Sequence, residues 1–123
     1  MYQKVITRED VDCTALEIPG VTIQILHEDR VSGGTTVLTH LAAGATIPEH
    51  WHVAADETVF VLSGDFLEAG QAYGPGTFFV GKAGTSHGPH ASNLGCTVLT
   101  TFSAPFDFQM GRPSDPPQHA EAL

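Results

Sequence analysis

Apolar residues recur at every second position along most of this chain, in short runs separated by glycine and proline. Val21, Ile23 and Ile25 alternate with polar neighbours over residues 21–26, just after a Pro19-Gly20 turn signal. A period of two places successive side chains on opposite faces, so it predicts half-buried strands. The same reading predicts strands over residues 35–41, 57–62, 66–68, 71–73, 77–80 and 96–102, with 86–90 extended. Turns are expected at 29–34, Ser63-Gly64-Asp65, Ala69-Gly70, Gly74-Pro75-Gly76 and 81–84, and a loop at 44–48. No window keeps a helical period over three turns. Many short strands at close spacing indicate an all-β sandwich or barrel.

Phe106, Phe108 and Met110 alternate as a last edge strand or a packed arm. From Gly111 the chain becomes polar and Pro-rich. One barrel domain over residues 1–110 and a mobile tail over 111–123 are therefore expected, with His119 a solvated residue in that tail.

Composition narrows the function classes. At 123 residues the chain is long enough for one domain with its own core. Its net charge of −9 repels phosphate backbones and anionic headgroups, so neither nucleic acid nor a membrane surface is an expected partner. No apolar run is long enough for a membrane-spanning helix, and the first residues lack the apolar core of a secretory signal, so a cytoplasmic location is the default expectation. Cys13 and Cys96 fit no paired-cysteine motif and are expected to be free thiols, Cys96 as a small apolar residue in a strand.

The candidate chemistry lies in Gly44-Ala-Thr-Ile-Pro-Glu-His50-Trp-His52-Val-Ala-Ala-Asp-Glu57, closed by Gly64. On a strand, His50 and His52 point to one side and Trp51 to the other. With Glu57 a short turn away, two imidazoles and a carboxylate converge as ligands for a divalent first-row metal. His-x-His alone says little in a chain with seven histidines. The whole spaced pattern should arise by accident in on the order of one such chain in a thousand. A further ligand comes from Gly84-Thr-Ser-His87-Gly-Pro-His90, where His87 is the choice and His90 the near rival. Glu57, Val59 and Val61 should face the interior. Thr58, Phe60 and Leu62 should face outward, covered by the N-terminal segment or a second copy of the chain. Asp56 is expected to solvate a loop or to orient a ligand imidazole through its free ring N–H. His27 and His40 read as structural residues, and Phe78, Phe79 and Phe102 as core.

Gly44-x5-His50-x-His52-x4-Glu57-x6-Gly64 resembles the first motif of the cupin superfamily. The second cupin motif is partial: Gly76, Gly84 and His87 stand in place, Lys82 stands where Pro is usual, and Asn93 lies two positions late. The resemblance implies a double-stranded β-helix, or jelly-roll barrel, often a homodimer. It implies His50, His52, Glu57 and His87 as metal ligands. The chain is similar to the zinc-binding cupin domains of certain anti-sigma factors and to small iron dioxygenases that cleave acetylacetone or hydroxylated acetophenones. The acetylacetone-cleaving enzymes use three histidines without the carboxylate, and Glu57 departs from that pattern.

Three imidazoles and one carboxylate suit Fe(II), Mn(II), Ni(II) or Zn(II). An octahedral ion would keep two open positions for O2 and a small-molecule substrate, whereas a tetrahedral zinc would be saturated and structural. The expected function is a metal-dependent dioxygenase acting on a small enolisable or phenolic carbonyl compound. A non-catalytic metal or ligand sensor and a metal-dependent lyase or isomerase are the alternatives.

Overall fold

The structure, a computed structural model, describes residues 1–114 and the backbone of 120–122. Thirteen strands are present among the described residues: β1 Thr14–Ala15, β2 Val21–Glu28, β3 Thr35–Leu41, β4 Thr46–Ile47, β5 His50–Trp51, β6 Glu57–Gly64, β7 Phe66–Glu68, β8 Gln71–Tyr73, β9 Phe78–Gly81, β10 His90–Ala91, β11 Cys96–Phe102, β12 Asp107–Met110 and β13 Ala120–Ala122. They form a six-stranded sheet, β1-β2-β3-β11-β6-β9, a four-stranded sheet, β4-β10-β7-β8, and a three-stranded sheet, β13-β12-β5. All pairings are antiparallel. The only helix among the described residues is a single 3-10 turn, Arg8–Asp10.

The loop expected at 44–48 contains a two-residue strand, because Thr46 and Ile47 find partners in Ala91 and His90. The expected tail at 111–123 lies partly outside the described residues, His119 included. Of its described residues, Ala120–Ala122 pair with Asp107–Gln109.

The interior follows the alternation except at Ile25, which is 46% exposed beside a register shift between Ile25 and His27. Val21, Leu41, Val59, Val61, Phe66, Val98 and Phe108 share one buried cluster. Burying each such side chain contributes about 1.5–3 kcal/mol. The enclosed space left among them is only about 40 Å³, room for a few waters.

Outward residues divide into two regions. At β2 and β3 the N-terminal segment covers them. Gln24 donates to the carbonyls of Arg8 and Val11 at 2.7 and 2.8 Å, and its oxygen accepts from His40 Nε2 at 2.8 Å. His40 Nδ1 then accepts from the Thr97 hydroxyl at 2.9 Å. His40 is thus a satisfied structural residue, and His27 is simply exposed. At β6 and β9 the outward residues Phe60, Leu62, Phe78 and Val80 remain exposed. Phe78 corrects the expectation of a core residue. Register explains it: Phe79 lies opposite inward-facing Val59, so Phe78, opposite Phe60, faces out.

The closing glycine of the first motif has a steric cause. A Cβ on Gly64 would sit 1.9 Å from the Gly95 carbonyl oxygen, and φ is +79° there, so any side chain would separate β6 from β11. Next to it, Asp65 accepts from the Ser92 hydroxyl and the Asn93 and Leu94 amides at 2.7–3.0 Å. These donors, the Leu94 amide first, hold its carboxyl below the ordinary 3.8. A depressed folded-state pKa stabilises above the unfolded value and loses that contribution as pH falls through the folded one. Asp65→Ala should therefore lower the Tm at pH 7, and the gap from the parent should close as pH drops below about 4. Thermal melts across pH 2.5–7 check this; a gap that is constant with pH would contradict the assignment.

Candidate metal centre

Strand register brings the predicted ligands together. His50 and His87 face each other in an antiparallel bridge, with the His50 amide donating to the His87 carbonyl at 3.0 Å and the His87 amide returning to His50 at 2.9 Å. Directly opposed residues project to one side of a ladder. On its other edge β5 pairs with β12, Met110 opposite His50. Glu57 opens β6 opposite Gly81, and a Cβ on Gly81 would approach His87 Nδ1 to 3.2 Å. One ligand atom from each of His50, His52, Glu57 and His87 lies within 4.8 Å of all the others.

His90 is held elsewhere. It stands opposite Glu68 on β7, with Nδ1 2.5 Å from Glu68 Oε2 but outside the angle of a full hydrogen bond. Its ring lies parallel to that of His87, 5.3 Å away. Asp56 also stays out of the cluster, accepting the Ala83 amide at 2.9 Å and lying 3.6 Å from Lys82 Nζ. Its carboxylate is tied to the turn before His87 rather than to a ligand imidazole.

Backbone carbonyls orient the imidazoles. His50 Nδ1 donates to Pro48 O at 2.7 Å, and His52 Nδ1 donates to Asp107 O. Both rings therefore turn an unprotonated Nε2 inward, the tautomer a metal ligand needs. Phe108 packs on both rings, at 4.5 Å from His50 and 5.4 Å from His52. Phe102 stands 5.3 Å from His52. The carbonyls and the Phe108 wall were not legible beforehand; the alternation at 106–110 marks the strand but not what it touches.

The donors inside are short of protons. His52 Nε2 is buried with no hydrogen-bond partner, and Glu57 Oε1 lies 3.7 Å from it, too far for a hydrogen bond. His50 Nε2 and His87 Nε2 are 3.0 Å apart, and His87 Nε2 is also 2.9 Å from Glu57 Oε1. A single proton on His87 Nε2 would have to serve both. Burial, with His90 and His87 adding to it, pushes His50 down to about 3, so this ring is neutral at pH 7. Burial lowers His52 as well, but the Glu57 carboxylate more than reverses it. Burial alone would raise Glu57; His52 and His87 instead hold its carboxyl far below the usual range. The neutral His50 ring, the His52 and His87 imidazoles and one buried carboxylate bring together an N3O donor set that suits a divalent cation.

Beside this cluster opens a cleft of about 360 Å³. Glu57 and His87 border it, Phe66 and Phe79 give it an apolar wall, and Glu68 and His90 line its polar side. That volume is at the small end for ligand sites. Burial works to raise the Glu68 carboxyl, but His90 and the Gly88 amide hold it below the ordinary carboxylate value. Cys96 is buried and Cys13 exposed, and both are free.

A model of the ChrR cupin-like domain matches residues 2–105. The chain belongs to the ChrR cupin-like family. No curated protein sequence is significantly similar to this cupin. Solved structures share its double-stranded β-helix. An acetylacetone dioxygenase from Acinetobacter johnsonii superposes with a TM-score of 0.75 at 17% identity, covering 99% of this chain and 85% of that one. An RmlC-like cupin protein from Ralstonia eutropha gives 0.74 at 19% identity, over 99% and 80% of the two chains. The polyketide cyclase RemF from Streptomyces resistomycificus gives 0.71 at 18% identity, over 99% and 86%. At these identities the likeness is one of fold. No helix among the described residues is long and apolar enough to cross a membrane.

A cation that satisfies this cluster should stabilise the fold by mass action. Ni(II) or Zn(II) at about a thousandfold over its Kd should raise the Tm by on the order of 10 °C. Glu57→Gln and His87→Ala should each abolish the shift and cut bound metal at least tenfold, read by differential scanning fluorimetry and elemental analysis. Unchanged metal content in both variants would place the site elsewhere.

Proposed function

We propose that this cupin holds one divalent transition metal on His50, His52, Glu57 and His87 and acts as a dioxygenase on a small enolisable or phenolic carbonyl compound. The observation that carries the reading is the unpartnered, buried Nε2 of His52, set among acceptors that border an open cleft. A bound divalent ion would supply Lewis acidity and a template for oxygen donors. The chain's own residues do the rest. Pro48 O and Asp107 O keep the His50 and His52 rings in the ligating tautomer. Ionised Glu57 lowers the charge of the loaded site by one and stays unprotonated through the neutral range. Phe66 and Phe79 exclude water from the substrate side of the cleft. The cleft's size favours a substrate of roughly ten to fifteen heavy atoms at most.

A second reading, a non-catalytic metal or ligand sensor, draws support from the donor count: four protein ligands would saturate a tetrahedral zinc. Metal-dependent lyase or isomerase chemistry would use the same cleft without consuming O2.

Oxygen uptake separates these readings. The Fe(II)-loaded protein should consume O2 in the presence of at least one member of a panel of β-diketones and hydroxyaryl ketones. Glu57→Gln should reduce the rate by at least two orders of magnitude. Stoichiometric metal binding with no O2 uptake across the panel would reject the dioxygenase. Product formation without O2 uptake would favour the lyase or isomerase.

A further inference from the structure

The sequence offers His87 and His90 as rivals for one role, and the fold leaves His90 with a different partner. His90 and Glu68 are directly opposed across β10 and β7, and both line the cleft that Glu57 and His87 border. The pair is more than a surface ion pair. His90 is 7% exposed, and its Nδ1 lies 2.5 Å from Glu68 Oε2. No group among the described residues partners its Nε2. Glu68 keeps part of its side chain open, at 22% exposure. Its Oε1 accepts one bond, from the Gly88 amide at 2.8 Å. Each carboxylate oxygen has two lone pairs, so acceptor capacity remains on the cleft side.

Position gives this spare capacity a use. The His90 ring lies 5.3 Å from the His87 ring and nearly parallel to it, at 17°, and 5.2 Å from the His50 ring. A molecule held by oxygen donors at the His50, His52, Glu57 and His87 cluster would extend along the Phe79 wall toward Glu68. An aromatic or other planar body suits that wall, and a hydrogen-bond donor suits its far end.

We propose that Glu68, positioned by His90, is a second anchor in the cleft that selects small chelating carbonyl compounds bearing a hydroxyl group at the end remote from their chelating oxygens. The inference rests on the metal-site reading above and narrows its substrate class. Glu68 accepts the hydroxyl proton's hydrogen bond, and His90 fixes the carboxylate's orientation. A substrate lacking the hydroxyl leaves a partly buried carboxylate without a replacement for the water it displaces, which is where discrimination arises.

The test uses two probes with the same chelating head, benzohydroxamic acid and 4-hydroxybenzohydroxamic acid, titrated calorimetrically into the Ni(II)-loaded full chain. The hydroxylated probe should bind the parent at least tenfold more tightly. In Glu68→Gln the preference should fall below twofold, with metal content as in the parent and benzohydroxamic acid bound no more weakly than by the parent. Glutamine keeps an oxygen for the Gly88 amide, and a melt confirms folding; His90→Gln, which removes the orienting ring, is the second variant and should also lose most of the preference. Equal affinities for the two probes in the parent, or a preference that survives both substitutions, overturns the anchor and leaves the metal site standing. Absence of binding by benzohydroxamic acid itself, with Ni(II) bound, means that the ion keeps no open position for a chelator and overturns the anchor together with the dioxygenase reading.

Discussion

Everything at the centre of this molecule depends on one antiparallel bridge, between His50 and His87. Its two backbone hydrogen bonds join residues 37 positions apart and set their rings face to edge at 4.5 Å. Because Pro48 O accepts the hydrogen bond of His50 Nδ1–H, the nitrogen that meets His87 is an acceptor. His52 and Glu57 add two more acceptors to the same small volume. Buried acceptors without donors are costly, and a buried carboxylate without a counter-charge costs several kcal/mol. A fold that places them together is under standing demand for a cation. That demand is a physical property of the donor set and does not depend on any resemblance.

The barrel supplies the conditions under which the cluster persists. Gly64 allows β6 to lie against the Gly95 turn, which fixes the strand that begins at Glu57. Asp65 ties that turn down through three donors. Phe108 and Phe102 pack on the inner imidazoles and shield them from water. The barrel's interior is nearly filled, and the usable volume lies to one side, between the cluster and the β7–β10 edge. The cleft meets the cluster at His87 and Glu57, whose side chains are 16% and 11% exposed.

Sequence reading reached the architecture because a two-residue period and turn glycines report local geometry directly. Val59 and Val61 are buried and Phe60 and Leu62 exposed, as their alternation requires. The family was legible from the spacing between Gly44 and Gly64, since that spacing encodes a strand, a turn and a close strand approach. Phe78 was misplaced because adjacent aromatic residues carry no phase of their own; only pairing with Val59 and Phe60 decides which faces in. The choice between His87 and His90 likewise turns on cross-strand register. The carbonyls of Pro48 and Asp107, and the Glu68 partner of His90, left no sequence signal, because backbone acceptors are available at every residue and carboxylates are common in an acidic chain.

X-ray absorption at the metal edge of the loaded protein examines the central cluster most directly. The spectrum should show only nitrogen and oxygen neighbours at about 2.0–2.2 Å, with the outer-shell scattering of three imidazoles. Glu57→Gln should alter that first shell while leaving the imidazole pattern in any residual bound metal. A sulfur neighbour near 2.3 Å, or scattering from fewer than two imidazoles, would contradict the assignment of His50, His52, Glu57 and His87.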